Sequence, residues 1–203
     1  MTRILDLNQP YTFSHIFELR AYLDDVVADF GYTLARERLT LPTYAGTMDR
    51  SQETRIRIED VLPYVDLANE TTRREMIIAP IISDLVHYTQ AQLRIEYPIK
   101  VNLQLQGFFD YHLNARNHVI IIEAKQEDLY NGFTQLAAEL IALDQWDRTP
   151  PQPLLLGAVT TGTIWQFGRL QREAKLIEQD LNLYQVPDDL EMLSRILVQA
   201  LLG

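Results

Sequence analysis

Apolar side chains recur along this chain with two spacings, one typical of helices and one typical of strands. Repeats of three and four residues predict amphipathic helices, and alternation or short apolar runs predict strands. The order of these patterns predicts an α/β or α+β fold with a central mixed β-sheet flanked by helices. The predicted helices cover residues 13–30, 71–88, 129–146 and 187–202. The predicted strands cover residues 32–41, 93–105, 107–113, 118–125, 154–160, 163–170 and 174–184.

Polar residues and prolines between these elements refine the boundaries. Residues 42–66 are predicted to form a long connection with a short strand at 54–58. Thr72 and Glu75 have the spacing of a capping box, which predicts a helix start there. Pro80 is expected to kink this helix or to mark a new first turn, because proline has no N–H to donate.

A β-hairpin is predicted where a polar turn, residues 114–117, separates two strand-like runs. If the hairpin folds between Arg116 and Asn117, Asp110 on the first strand lies opposite Glu123 on the second. Directly opposite residues of an antiparallel pair have Cβ atoms about 4.5–5.5 Å apart. The hairpin therefore predicts two neighbouring carboxylates.

Lys125 adds a positive charge to this pair, because alternate residues of a strand share a face and Lys125 follows Glu123 by two positions. The strand is otherwise apolar: residues 119–122 are four β-branched side chains, typical of a strand buried on both faces. Two carboxylates repel unless a cation lies between them, and Mg²⁺ prefers such oxygen ligands. The alternative is a plain structural ion pair with Lys125.

Composition narrows the function classes. The chain has no cysteine and no run of about 18 apolar residues, so neither a thiolate zinc site nor a membrane span is expected. An early acid, Asp6, and the lack of an apolar leader favour the cytoplasm. The net charge of −10 argues against a protein that coats DNA. The apolar stripe of the helix 187–202 must be covered, and we expect mostly intramolecular cover by its own sheet, with a homodimer as the alternative.

The hairpin acids, the Glu-x-Lys step and the helix after them resemble the PD-(D/E)xK nuclease superfamily, which has the restriction-endonuclease-like fold. Asp110 occupies the position of the family's Asp, and Glu123-Ala124-Lys125 matches its (D/E)-x-K. Phe109 stands where the family's Pro would precede that Asp, a departure that many members share. Further likeness to an uncharacterised bacterial branch lies in residues 74–81, 107–111, 132–136 and 159–165.

The resemblance implies a core of one helix, three strands, a second helix and a further strand. It covers residues 70–185, which are interpreted as the nuclease-like core. Residues 1–69 are interpreted as an N-terminal elaboration with a helix and a strand, and residues 186–203 as a C-terminal helix. The whole chain, residues 1–203, is of a length typical of a single domain.

The resemblance also implies a metal site and the role of each residue in it. Asp110 and Glu123 would bind Mg²⁺ (or Mn²⁺), with help from the backbone carbonyl of Ala124. The ion would polarise the scissile phosphate and lower the pKa of a bound water. Lys125 would orient that water or stabilise the charge that develops on the phosphorus. Glu75 would complete the metal shell, unless it serves the capping box instead.

Four other polar residues lie near these motifs, and each has an expected position. Gln135 is expected to face the site, as a polar residue does in related nucleases, with a solvated helix position as the alternative. Glu139 is expected on an exposed helix face, and Asp128 is expected to cap the same helix. Arg74 is interpreted as a surface ion-pairing residue, with phosphate contact as the alternative.

These features indicate two possible functions, and a third interpretation assigns no function to the triplet. The first is a metal-dependent nuclease that hydrolyses phosphodiester bonds of DNA or RNA. The alternative is a non-catalytic module of the same fold that binds nucleic acid or protein. The acidic charge favours the alternative, or a nuclease that reaches nucleic acid through a basic partner protein. The third reading is an ordinary α/β domain in which the triplet is accidental.

Overall fold

One mixed sheet organises the protein, whose computed structural model describes residues 3–6, 8–116, 118–125 and 128–203. Within these ranges eight strands belong to the sheet: β1 (Thr33–Glu37), β2 (Gln92–Lys100), β3 (Gln106–Ala115), β4 (His118–Ala124), β5 (Leu154–Thr160), β6 (Ile164–Gln171), β7 (Leu176–Asp180) and β8 (Tyr184–Gln185). Their order is β1-β7-β6-β5-β4-β3-β2, and β8 pairs with β6. The β1–β7 and β4–β5 pairs are parallel and the others antiparallel.

Helices cover both faces of this sheet, so the predicted central mixed sheet flanked by helices is confirmed. The helices in the described ranges are α1 (Phe13–Glu18), α2 (Leu23–Asp29), α3 (Ser51–Val61), α4 (Glu70–Arg73), α5 (Ala79–Thr89), α6 (Leu129–Gln145) and α7 (Leu190–Leu202). Helices α1, α2 and α6 share one apolar core with the sheet, whereas α3, α5 and α7 share the other. None of these helices is long and apolar enough to cross a membrane.

The hairpin of β3 and β4 has the predicted register. Tyr111 pairs with Ile122, and Ala115 pairs with His118 at the turn end. Asn117, which the prediction places in the turn, lies outside the described residues. Residues 119–122 are buried, and they alternate between the two apolar cores. The prediction of a strand buried on both faces is therefore confirmed.

The predicted helix at 13–30 is wrong, because the chain forms two short helices there. Arg20 breaks the run with a left-handed backbone, φ 49°. The break allows Phe13 and Ile16 of α1 and Val26 of α2 to reach the same core from two directions.

The short strand predicted at 54–58 is also wrong, because these residues belong to α3. Thr54 and Ile58 are buried one helical turn apart, and the Thr54 hydroxyl donates to Asp84 Oδ2 over 2.6 Å. Charged residues on the exposed face pair at the same four-residue spacing, as Arg55 does with Glu59. The four-residue spacing of these contacts is typical of a helix, and it outweighs the strand preference of the β-branched residues in this segment.

The second predicted helix starts earlier than the capping box suggests. Asn69 caps α4, and its side-chain oxygen accepts from the Thr71 N–H over 2.8 Å. A wide π turn, Arg74–Ile78, then joins α4 to α5. Pro80 lies in the first turn of α5, as predicted, where its missing N–H leaves no helical bond unmade. The capping-box role of Glu75 is therefore wrong.

Several strands differ in length from the prediction: β2 ends at Lys100 and not at 105, β3 is longer at both ends than the predicted 107–113, and β4 ends one residue before its predicted end. The range 32–41 contains only the five residues of β1, and 174–184 contains β7. Helix α6 ends one residue before its predicted end. Strand β2 contains Pro98, which an edge strand accommodates.

The terminal helix α7 is covered within the chain, as predicted. Leu193 and Leu197 are fully packed against the sheet face shared with α3 and α5, whereas Met192 is 50% exposed. The apolar stripe therefore belongs to the core of the chain itself.

The packing of α7 predicts a strong contrast between two substitutions on this helix. Leu197→Ala removes buried apolar volume and should lower the free energy of unfolding by about 2–5 kcal/mol. Met192→Ala lies on the exposed face and should change it by about 0.5 kcal/mol or less. Urea unfolding followed by circular dichroism measures both values. Equal losses would show that α7 does not pack through the Leu197 face.

Candidate functional site

Asp110 interrupts the hairpin at the point where β3 and β4 stop pairing. The register extends to Tyr111 and Ile122, and the next position places Asp110 opposite Glu123. Asp110 Oδ2 accepts from the Ala124 N–H over 2.8 Å. A carboxylate therefore takes the place of a backbone carbonyl at the end of the ladder.

The face alternation of β3 also changes at Asp110. Phe109 stacks on Phe13 in the α1 core, whereas Tyr111, two residues later, lies in the opposite core. On the neighbouring strand β2, Glu96 has a left-handed backbone, φ 50°, between its paired neighbours. This local irregularity leaves the Asp110 side chain between the two faces of the sheet.

Glu123 lies at the centre of a buried hydrogen-bonded cluster beneath α6. Its side chain is 2% exposed, and its Oε1 accepts from Lys125 Nζ over 2.7 Å. The same Oε1 accepts from Gln135 Nε2 over 2.6 Å. Gln135 Nε2 also donates to Glu139 Oε1 over 2.8 Å. The cluster therefore contains two carboxyl groups, one amide and one ammonium group.

Three oxygen atoms of this cluster are buried without a hydrogen-bond partner in the described part of the chain. They are Glu123 Oε2, Gln135 Oε1 and Glu139 Oε2. Buried polar atoms in folded proteins are nearly always satisfied, so such atoms indicate a further group at the site. Because all three are acceptors, the group that satisfies them is a hydrogen-bond donor or a cation: a water molecule, a proton held by a carboxyl group, or a metal ion.

The pKa values of the cluster support this conclusion. Burial, with a contribution from Asp110, raises the pKa of Glu123 to about 7 against the opposing effect of Lys125. Burial and the charge of Glu123 raise the pKa of Glu139 well above its ordinary value. Burial alone would lower the pKa of Lys125, but Glu123 outweighs it and the pKa is raised. Burial of the two glutamates therefore favours a proton on the pair, whereas the neighbouring carboxylates favour the charged form of Lys125.

The path of the Lys125 side chain depends on a glycine of α6. A Cβ atom on Gly132 would lie 2.9 Å from Lys125 Cγ and 2.9 Å from Val159 Cγ2. The missing side chain thus leaves the space through which Lys125 reaches Glu123. Lys125 Nζ also lies 4.6 Å from the centroid of the Phe17 ring, and its side chain is 16% exposed.

Arg74 approaches the site from the other face of the sheet. Its guanidinium lies 3.4 Å from Asp110 Oδ1 and 3.8 Å from carboxylate oxygens of Glu70 and Glu96. It also covers the ring of Tyr111, with 5.3 Å to the centroid, and is only 18% exposed. Arg74 is therefore a partly buried counterion of Asp110 and not a surface pair.

The structure brings most of the predicted site residues together. Glu123, Lys125 and Gln135 are in direct contact, and Asp110 is joined to the strand end through the Ala124 N–H. Glu75 is exposed on the π turn, and none of the hydrogen bonds or ion pairs of the described residues involves it. Within the described ranges no three His, Cys, Asp or Glu side chains are arranged to hold a metal.

Two predictions about α6 have clear outcomes. Asp128 caps the helix as expected, because its side chain accepts from the Asn131 N–H over 3.0 Å. The expectation that Glu139 is exposed is wrong, since it is fully buried and bonded to Gln135. The signal was present in the sequence: residues 133–143 are apolar on almost every face, which is typical of a buried helix.

No protein-family model matches this chain, and no curated protein and no solved structure is significantly similar to it. The geometry of the cluster is therefore the basis on which a function is assigned. That geometry consists of a buried, partly protonated carboxyl pair, an attached lysine and a neighbouring aspartate paired with arginine.

The raised pKa of Glu123 predicts that stability falls as the pH rises. In the folded chain this carboxyl group keeps its proton to about pH 7, whereas the unfolded chain releases it near 4.5. Between these values the unfolded state binds fewer protons, so the free energy of unfolding falls by up to about 1.4 kcal/mol per pH unit. Urea unfolding of metal-free protein across this pH range measures the slope.

Glu139→Gln provides the matched variant for this measurement. It keeps the shape of the side chain but removes a buried carboxyl group whose own pKa is raised well above its ordinary value, so the slope should flatten. Glu53→Gln, on the exposed face of α3, should leave the slope unchanged. A slope as steep in Glu139→Gln as in the wild type would contradict a proton shared by the buried pair.

Proposed function

We propose that the chain is a metal-dependent nuclease that hydrolyses phosphodiester bonds of DNA or RNA. The observation that carries this proposal is the state of the Glu123 carboxyl group. One oxygen is held by Lys125 and Gln135, and the other is buried without a hydrogen-bond partner among the described residues. A carboxylate oriented in this way, beside a second carboxylate, is suited to a divalent cation.

The available donors suit Mg²⁺ or Mn²⁺. Asp110, Glu123 and the Ala124 carbonyl are all oxygen ligands, which hard cations prefer to nitrogen or sulfur. Two carboxylates are enough, because Mg²⁺ usually keeps several waters and takes substrate phosphate oxygens as further ligands. Glu75 as an additional ligand remains a prediction, and its exposed side chain would have to turn toward the site.

The roles of the protein groups follow from their contacts. When bound, the ion would polarise the scissile phosphate and lower the pKa of a bound water. Gln135 and Lys125 fix the orientation of Glu123 by holding its Oε1. Lys125 would place its charge beside the phosphate, where charge develops during hydrolysis. A proton on Glu139 would keep one member of the buried pair neutral while Glu123 stays ionised.

The order of elements supports a restriction-endonuclease-like core. Helix α5 precedes three antiparallel strands, β2, β3 and β4, and α6 then leads to β5, which is parallel to β4. This is the order of helix, three strands, helix and strand that the resemblance implies. The candidate ligands lie on β3 and β4, as the family motif requires.

A non-catalytic binding module on the same fold is the second candidate. The observation that favours it is the ion pair of Arg74 with Asp110, which neutralises the aspartate without a metal. The net charge of −10 also disfavours direct approach to a polyanion. In the nuclease, Mg²⁺ would replace Arg74 at Asp110, and a basic partner protein would help to bring nucleic acid to the site.

Calorimetric titration with Mn²⁺, together with a cleavage assay, separates the two candidates. The wild type should bind the ion weakly without substrate, whereas Asp110→Asn and Glu123→Gln should not bind it. Lys125→Ala should bind Mn²⁺ as well as the wild type or better, because a neighbouring cation is removed. Its hydrolysis should nevertheless fall by about 10²–10³, the typical loss for one charge-stabilising donor.

Lys100→Ala is the matched control, because it removes an exposed lysine of β2 and should change neither quantity. The substrates are single-stranded, double-stranded and supercoiled DNA, and RNA. Absence of both metal binding and cleavage in the wild type would favour the non-catalytic module. Metal binding without cleavage would direct the search to the basic partner.

A further inference from the structure

A polar pocket lies on the same face of the sheet as α6, and it is bordered by the edge strand β2, by β3 and by the C-terminal end of α6. Its volume is about 180 Å³. Three rings form its walls: the Tyr97 ring centroid lies 5.2 Å from that of His112 and 6.0 Å from that of Trp146. The Tyr97 ring therefore contacts both other rings, and the three aromatic side chains form part of the lining of the pocket.

Two arginines stand over these aromatic walls. The guanidinium of Arg94 lies 4.5 Å from the Tyr97 ring centroid, and that of Arg148 lies 5.8 Å from the Trp146 centroid. Both side chains line the pocket and neither pairs with an acid of the described residues. In a chain with 28 acids and 18 basic residues, two unpaired arginines at one pocket are available for an anion.

The last acid of α6 is already engaged elsewhere, and Asp147, the acid next to Arg148, is exposed and does not line the pocket. Asp144 accepts from Arg172 Nε over 2.7 Å and from the Tyr32 hydroxyl over 2.5 Å. It therefore does not neutralise Arg148. The positive charge of the pocket is local, although the chain as a whole is acidic.

Hydrogen-bonding groups line the floor of the pocket. His112 is only 6% exposed, and its Nδ1 is buried without a partner in the described ranges. The side-chain amide of Asn114 also lines the pocket, and no described residue bonds to it.

These groups select one class of ligand. Aromatic walls suit a flat ring, the amide and imidazole suit its polar edge, and the arginines suit an attached phosphate. The volume is below the roughly 300–1,000 Å³ of pockets that hold drug-sized ligands, so the pocket takes a fragment and not a large cofactor.

We propose that this pocket binds one unpaired nucleobase of a single-stranded nucleic acid, with Arg94 and Arg148 on the adjoining phosphates. The identification of that strand as a substrate rests on the proposed nuclease function. The pocket and the carboxyl cluster are neighbours in the fold. His112 follows Asp110 by two residues, about 7 Å along β3, and Leu143 at the pocket follows Glu139 by one turn of α6.

Trp146 gives a direct readout of the pocket. Of the two tryptophans, Trp165 is fully buried in the opposite core, so quenching by a stacked base should come from Trp146. A fluorescein-labelled oligodeoxyadenylate is titrated in EDTA, which prevents cleavage, and followed by polarisation and by tryptophan emission. Trp146→Phe should keep the affinity and lose the quenching. Trp146→Ala should weaken binding about 5- to 100-fold, the effect of one base on an aromatic side chain.

The arginines are tested by the salt dependence of the same binding. Arg94→Gln and Arg148→Gln should each reduce the slope of log affinity against log salt concentration by about 0.7, the value for one phosphate contact with a single strand. Arg57→Gln removes the same charge from α3, on the other face of the sheet, and should change the slope least. These exposed substitutions keep the test valid if Trp146→Ala unfolds the chain.

Competition and metal binding distinguish the outcomes. Adenosine monophosphate should displace the labelled strand at concentrations where inorganic phosphate does not; equal displacement would overturn recognition of the base.

Strand binding that is unaffected by the Trp146 and arginine variants would overturn the pocket. Mn²⁺ binding without any strand binding would overturn the pocket and leave the nuclease proposal intact. Strand binding without Mn²⁺ binding would support the pocket while the nuclease proposal fails.

Discussion

The buried carboxyl group of Glu123 is the constraint on which the rest of the site depends. Placing an ionised carboxylate inside a protein costs several kcal/mol unless other groups compensate. Lys125 and Gln135 supply two donors to one oxygen, and the proton on the pair with Glu139 reduces the charge further. Gly132 is part of the same arrangement, because a side chain at this position would collide with the side chain of Lys125. Stability and candidate chemistry thus depend on the same atoms.

The hairpin and its acids could be predicted because they depend on local rules. The apolar run 119–122 specifies a strand buried on both faces, and a register error would move its neighbours to the wrong face. The position of the polar turn then fixes the register of the hairpin, and this register places Asp110 opposite Glu123. The bounds of α6 and the capping role of Asp128 were predictable for the same reason, since pattern and cap agree.

Other features depend on tertiary contacts that sequence patterns do not contain. The break at Arg20 lets two short helices share one core, and no glycine or proline marks it. Arg74 belongs to the site only because the π turn brings it beside Asp110. In each case the packing of distant segments overrode the local preference.

The acidic character of the chain and its candidate affinity for nucleic acid are compatible on physical grounds. At physiological ionic strength exposed charges are largely screened beyond about 8–10 Å, so the net charge of −10 weakens long-range attraction more than contact at a site. Close to the surface, Arg94 and Arg148 are the charges that a strand in the aromatic pocket would meet. At the carboxyl cluster the negative charge would favour a cation before the phosphate arrives. The distribution of charge, and not its sum, therefore decides what this surface can bind.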